Sequence, residues 1–281
     1  MLVNMIDMLN SAKENNYAVA QFNINNLEWT RFILEENNRL NVPVILGVSE
    51  GAAKYMCGYK TIVNMVKNLI QYLGVSIPVA LHLDHGSSFE VCKEAIDAGF
   101  TSVMIDASKY ELDKNIDITK KVVEYAKKYN VSVEAEVGHV GSNNNGSIED
   151  IIYADVNDCY QFCKETKVDF LAPALGSVHG PYIGEPKLNF ERMKEISSIC
   201  NIPLVLHGGS GITDELIKKA IKCGICKINI NTELQQAWAA GVRDNINKNV
   251  DIYDPRKIIK FGESNIKKVI EEKITLFETK L

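Results

Sequence analysis

Short apolar runs alternate with longer amphipathic stretches along this chain. The runs are 18–22 (AVAQF), 42–48 (VPVILGV), 79–83 (VALHL), 102–105 (SVMI), 132–137 (SVEAEV), 169–173 (DFLAP), 204–206 (LVL) and 227–230 (KINI). Their Val, Ile and Leu content predicts eight strands of a parallel sheet covered by helices. The stretches between them predict those helices. Ile62, Val63, Met65, Val66, Leu69, Ile70 and Leu73 fall on one helical stripe. Ser87 with Glu90 makes a capping-box pattern ahead of 91–98, and Gly99 follows as a stop. Thr213 opens another helix, with Asp214 and Glu215 in its first turn and Gly224 at its end. Two more helices, roughly 233–247 and 255–279, close the chain.

Eight strand–helix units in about 250 residues match an α/β fold of the (β/α)8 TIM-barrel type. The expectation is one barrel domain over 1–281 with extra C-terminal helices. A doubly wound open sheet gives the same alternation. The strand ends favour the barrel, whose active site lies at the C-terminal ends of its strands. Asn23 and Asn25 end the first run, Ser49 and Glu50 the second, Asp84 and His85 the third, and Asp106 the fourth. The fifth carries Glu134 and Glu136, the sixth leads to His179, the seventh ends at His207, and the eighth carries Asn229 and Asn231. Alternation puts His82 with Asp84, Glu134 with Glu136, and Asn229 with Asn231, each pair on one polar face. Buried carboxylates are costly unless paired or metal-bound. Several in one barrel mouth imply a cation.

Composition mainly excludes. The chain has 281 residues and a net charge of −5, with 46% hydrophobic and 24% charged residues. That is globular rather than disordered. No basic stripe suggests nucleic acid. No apolar run approaches the ~18–20 residues that span a bilayer, and residues 1–16 lack a signal-peptide pattern. The seven cysteines read as reduced thiols of a cytoplasmic protein. Cys223-x-x-Cys226, with no second pair nearby, reads as structural, as do Cys159 and Cys163 one helical turn apart.

All five histidines, His82, His85, His139, His179 and His207, fall on or just after the third, fifth, sixth and seventh runs. One such histidine alone reads as a hydrogen-bonded core residue. Three on successive loops of one barrel face point to a metal, and three His with an open position is a catalytic zinc arrangement. The HGGSG turn at 207–211 and NINT at 229–232 occupy the loops that commonly bind phosphate in barrels. Glycine there lets backbone N–H groups approach an anion.

These residues together resemble the class II, metal-dependent fructose-bisphosphate aldolase family. The resemblance rests on LHLDHG (81–86), SVEAEV (132–137), ALGSVHGP (174–181), LHGGSG (206–211) and KININT (227–232), and runs from AVAQFN (18–23) to DPRK (254–257). It implies cleavage of fructose 1,6-bisphosphate to dihydroxyacetone phosphate and glyceraldehyde 3-phosphate. It implies Zn²⁺ on His85, His179 and His207, and Asp84 as the acid–base group at the C4 hydroxyl. A second divalent position matches Asp106 and Glu136 with Glu134 nearby, and a monovalent cation is a further expectation. Gly180, Gly208, Gly209, Ser210, Asn229, Ile230, Asn231 and Thr232 match contacts to the dihydroxyacetone phosphate half. Ser49 matches a contact to the other phosphate. The family also suggests a homodimer or homotetramer.

Two departures stand out. The loop after the fifth run reads GSNNNGS at 141–147, with no acid until Glu149 and Asp150. Glu149 is the candidate loop acid, and a solvated loop carboxylate is the competing reading. Ile183 stands where relatives often carry lysine, so Arg256 and Lys187 are the candidate compensating cations. Two alternatives stay open: a tagatose-bisphosphate aldolase, and a non-catalytic barrel that binds metal and phosphate. Asp84 argues against the second, because a pure binder needs no free acid beside the metal.

Overall fold

The computed structural model describes residues 2–144, 147–148, 153–180, 182 and 186–281. Eight parallel strands close into a barrel: β1 (Val19–Asn23), β2 (Val44–Ser49), β3 (Val79–Gly86), β4 (Ser102–Ile105), β5 (Ser132–Val137), β6 (Phe170–Pro173), β7 (Leu204–Leu206) and β8 (Ile225–Ile230). Closure comes from β1, which pairs with β2 on one side and β8 on the other. Each strand neighbours its predecessor in the chain, so the expected TIM barrel holds and the open doubly wound sheet does not. A small sheet joins Gly141–Asn144 to Ser147–Ile148 and to Val178–His179.

Period-two alternation sorts each strand into two faces. Outward residues such as Phe22, Leu46, Leu81, Leu83, Val103, Val133, Ala135, Leu171, Ile228 and Ile230 are buried under the helices. Inward residues differ by height. Near the strand N-termini, Val19, Ile45, Ala80, Phe170 and Val205 form an apolar plug. The Ile6–Asn15 helix seals it from below with Met8, Leu9 and Ala12. Farther up, the inward residues are polar.

Two sequence expectations shift. The helix Phe89–Ala98 is capped by Ser88, whose hydroxyl accepts from Val91 N at 3.3 Å. Ser87 instead donates its N–H to Glu50 Oε1 at 2.8 Å, tying the end of β3 to the segment that follows β2. The predicted last helix is two, Pro255–Lys260 and Glu263–Phe277. Gly262 sits against Trp238, where a Cβ would fall 2.0 Å from the indole. The chain must break there to let the ring in. Ile266, Ile270, Ile274 and Phe277 then pack inward, so this apolar face is spent on the barrel. Cys159, Cys163, Cys223 and Cys226 are free and buried, as packing residues are. Among the described residues no helix is long and apolar enough to cross a membrane.

Candidate active site

The polar upper half of the barrel begins with His82 on β3, Glu134 on β5 and Lys227 on β8, all fully buried. Above them come Asn23, Asp84, Glu136, His207 and Asn229. His85 follows Asp84 and would face outward by alternation. A register shift against β4 between Leu83 and Gly86, with a φ of +55° at His85, swings it into the mouth. Bulges re-aim side chains in this way, and positive φ at a non-glycine residue is strain typical of functional sites.

The three metal-candidate rings meet there. Ring centroids are 5.0 Å apart for His85 and His179, 4.6 Å for His85 and His207, and 5.7 Å for His179 and His207. One nitrogen from each lies within 4.8 Å of the other two. His85 Nδ1 bonds Asp106 Oδ2 at 2.9 Å, and His207 Nε2 bonds Glu134 Oε1 at 2.9 Å. The opposite nitrogens, His85 Nε2 and His207 Nδ1, are buried without partners. Buried polar atoms are rarely left so, and carboxylate-backed imidazoles aimed at one point fit a divalent metal. His85, Asp106 and Glu136 form a second such group.

Electrostatics separate the carboxylates. Burial alone would raise the Asp84 carboxyl, but His85, His207 and Lys227 outweigh it and hold it well below the usual range. Its oxygens also accept from Asn23 Nδ2 at 2.9 Å and Asn229 Nδ2 at 3.4 Å. Glu136 goes the other way, pushed up to about 8 by burial and by neighbouring Asp106. Burial works against charging His85, but the bond to Asp106 and the Asp84 and Glu136 charges push it up to about 9. Burial, aided by His85 and His207, pushes His179 down to about 3.

The anion side is built from backbone. Gly208 has φ +63°, and a Cβ there would lie 2.1 Å from Val178 O, so only glycine fits. Tyr182 Oη donates to Gly208 O at 2.9 Å and accepts from Val178 N at 3.1 Å, clamping the two loops. Ser210 Oγ accepts from Asn231 N at 3.3 Å at the start of the Thr232–Lys248 helix. Glu233 Oε1 accepts from Gly211 N at 2.7 Å and is paired with Lys273 Nζ at 2.9 Å.

A cleft of about 390 Å³ unites most of the expected residues: Ser49, Asp84, His85, Asp106, Glu136, His179, Gly180, Gly208, Ser210, Asn229, Asn231 and Thr232 line it. His207 is buried at its floor, in contact with His85. Others fall elsewhere. Gly209 packs against Ile228, and Ile230 faces the helices. Glu134, expected near the second metal position, lies beneath the cleft and outside both metal-candidate groups, hydrogen-bonded to His207 and ion-paired with Lys227 Nζ at 2.8 Å. Arg256 also departs from expectation, because its side chain is 89% exposed and pairs with Asp254 outside the cleft. Lys187 lines a separate surface hollow with Tyr153. Glu149 and Ile183 lie outside the described residues. Sequence reasoning assigned no role to four residues. Asn23 was legible as a polar strand end, and Lys227 by its parity with Asn229. His139 lines the cleft with Nδ1 3.4 Å from Ser108 Oγ. Tyr182 carried no signal.

Comparison with known proteins agrees with this geometry. The family model described as fructose-bisphosphate aldolase class-II matches residues 3–280. A fructose-bisphosphate aldolase of Staphylococcus epidermidis is 57% identical over 279 residues, covering 99% of this chain and 98% of the relative. One from Staphylococcus aureus is 58% identical over the same coverage. The crystal structure of the YdjI aldolase from Escherichia coli K12 superposes with a TM-score of 0.87 at 34% identity, covering 99% of this chain and 98% of that one. By this match over residues 3–280 and by these relatives, the chain, with three histidines gathered beside a buried aspartate at its barrel mouth, belongs to the class II fructose-bisphosphate aldolase family.

Proposed function

We propose that this chain catalyses the reversible aldol cleavage of fructose 1,6-bisphosphate to dihydroxyacetone phosphate and glyceraldehyde 3-phosphate. The observation that carries the reading is Asp84, an ionised carboxylate fixed by two amides beside three converging imidazoles. His85, His179 and His207 would hold Zn²⁺, which supplies a Lewis acid for the substrate carbonyl. Asp84 takes the C4 hydroxyl proton as the C3–C4 bond breaks and returns it in the condensation direction. The amides of Asn23 and Asn229 keep it a base by hydrogen-bonding its charged form. The 208–211 turn and the start of the Thr232–Lys248 helix receive one phosphate through backbone N–H groups, and Ser49 faces the other. Asp106 and Glu136, with His85, would take a second divalent ion. Glu149 is the proposed acid for the enediolate carbon.

A coupled triose-phosphate assay with and without chelator tests this. Cleavage should vanish on full metal removal and return with Zn²⁺; activity that survives removal overturns the zinc assignment. Comparing kcat/KM for fructose and tagatose bisphosphates decides the sugar, with fructose expected to be preferred. The same reading places the enzyme in the cytoplasm as a homodimer or homotetramer, which sedimentation of the purified protein checks.

A further inference from the structure

Lys227 is a fully buried lysine inside the barrel, one layer below the cleft. The proposed chemistry does not use it. Its Nζ lies 2.8 Å from Glu134 Oε2 and 2.9 Å from Asn229 Oδ1. Replacing a buried ion pair by apolar side chains is often neutral or stabilising, so fold stability alone is a weak reason for this one. Its polarity is informative. An ammonium has three donors and no acceptor. Asn229 must therefore present its oxygen to Lys227, which turns its NH₂ towards Asp84 Oδ1 at 3.4 Å. Glu134 gives one oxygen to Lys227 and the other to His207 Nε2 at 2.9 Å. A carboxylate only accepts, so His207 must carry its proton on Nε2. That leaves the Nδ1 lone pair, which is without a hydrogen-bond partner and 3.7 Å from Glu136 Oε2, on the side of the metal-candidate group.

We propose that Lys227 is a positioning residue: one buried ammonium turns the Asn229 amide so that its NH₂ reaches Asp84, and by ion-pairing with Glu134 it holds the carboxylate that keeps the His207 proton on Nε2. The roles of Asp84 and His207 rest on the function proposed above, but the hydrogen-bond directions themselves do not. A second amide chain, from Gln21 Nε2 through Asn23 at 3.3 Å, reaches Asp84 independently of Lys227. Lys227 thus orients one of the two amide donors on the carboxylate directly, and acts on the tautomer of His207 only through Glu134.

The direction argument makes a non-additive prediction. In Glu134→Gln, Lys227 claims the amide oxygen and forces the NH₂ onto His207 Nε2. The ring must then accept there and move its proton to Nδ1, where it blocks the metal. In Lys227→Met/Glu134→Gln the amide is free to turn its oxygen back to His207. The experiment uses full-length, metal-free protein labelled with ¹⁵N-histidine above neutral pH, the His207 signal being assigned by its loss in His207→Gln. Zinc affinity is read in parallel by competition with a chromophoric chelator. The wild type should show the proton on Nε2. Glu134→Gln should show it on Nδ1 and bind Zn²⁺ about 10–100-fold more weakly. The double variant should recover the Nε2 tautomer and most of the zinc affinity. Its kcat should stay reduced at little-changed KM, because Asn229 has lost its anchor. A wild-type proton on Nδ1 overturns the proposal without any variant. So does a folded double variant that binds zinc no better than Glu134→Gln. If these readouts behave as expected but the wild type fails to cleave fructose 1,6-bisphosphate, the proposed substrate falls and the positioning role stands. If cleavage holds and the tautomer does not respond, the reverse applies.

Discussion

The two ends of the barrel interior are built from the same strands and obey opposite rules. At the bottom, Val19, Ile45, Ala80, Phe170 and Val205 meet Met8 and Leu9 in a sealed apolar plug. At the top, the next inward positions on the same strands are Gln21, His82, His207 and their neighbours, and further up Asn23 and Asp84. The plug satisfies no polar group and stabilises by excluding water. The mouth buries several ionisable groups and leaves imidazole nitrogens without partners. The barrel therefore separates the part that holds the fold from the part that does chemistry by height along each strand. On β1, β3 and β7 the inward residue changes from apolar to polar within two positions: Val19 to Gln21, Ala80 to His82 and Val205 to His207.

Substitutions at the two ends should break different things. The largest effect is expected at the top. Asp84→Asn should lower kcat by roughly 10²–10⁴-fold through loss of the acid–base group, while the thermal midpoint falls less than in the plug variant below, because the amide keeps the side chain's shape and an acceptor oxygen for Asn23. A variant that turns over like wild type would remove Asp84 from the mechanism. Leu9→Ala in the plug should do the converse. Deleting a buried leucine costs about 2–5 kcal/mol, read as a lowered urea midpoint, and kcat of the folded fraction should not change. A large kcat loss there would show that the ends are not independent.

The acidity of the mouth should shape the stability of the metal-free chain. Burial and the Lys227 charge push His82 down to about 3, and burial with His85 and His207 does the same to His179. Both titrate near 6.5 when unfolded, so the unfolded state binds more protons between these values and stability falls as pH drops below about 6.5. Glu136 is raised from 4.5 to about 8 and His85 from 6.5 to about 9, so each binds more protons in the folded state across its own window, and above 6.5, where His82 and His179 no longer offset this, that excess prevails. Stability then declines on that side too. Denaturant midpoints across pH should peak near 6.5; a curve still rising at pH 9 would contradict the Glu136 and His85 environments. The smallest effect is expected at the anion seat. Glu233→Gln weakens the bond to Gly211 N and the Lys273 pair, and about 1 kcal/mol there should raise KM about fivefold with kcat unchanged.

Much of this was legible in the sequence because it follows from periodicity. The eight runs became eight barrel strands, with shifts of one to three residues at their ends. Boundaries moved where the apolar run and the hydrogen-bonded ladder do not end together: β2 starts after Pro43, which cannot donate to a ladder, and β3 extends through His85 to Gly86. The site residues that sat on strand ends were legible for the same reason. Residues were missed or misplaced where a contact across the barrel decides the role. Glu134 and Glu136 share a face and look equivalent, yet Lys227 claims Glu134 and leaves Glu136 to the cleft. The helix break at Gly262 depends on where Trp238 arrives from another helix.

The sequence by itself determined the barrel, the polar ends of its strands and the histidine set, since hydrophobic period and residue type are local properties of the chain. Only the tertiary structure decided how those groups are used. The bulge that turns His85 inward, the carboxylates that claim one nitrogen of His85 and His207, and the ammonium that pairs with Glu134 all arise from pairings between different strands or their ends; only the bond from Lys227 to Asn229 joins near neighbours in the chain. A donor's direction is fixed by what it meets, and that is known only once the strands have closed.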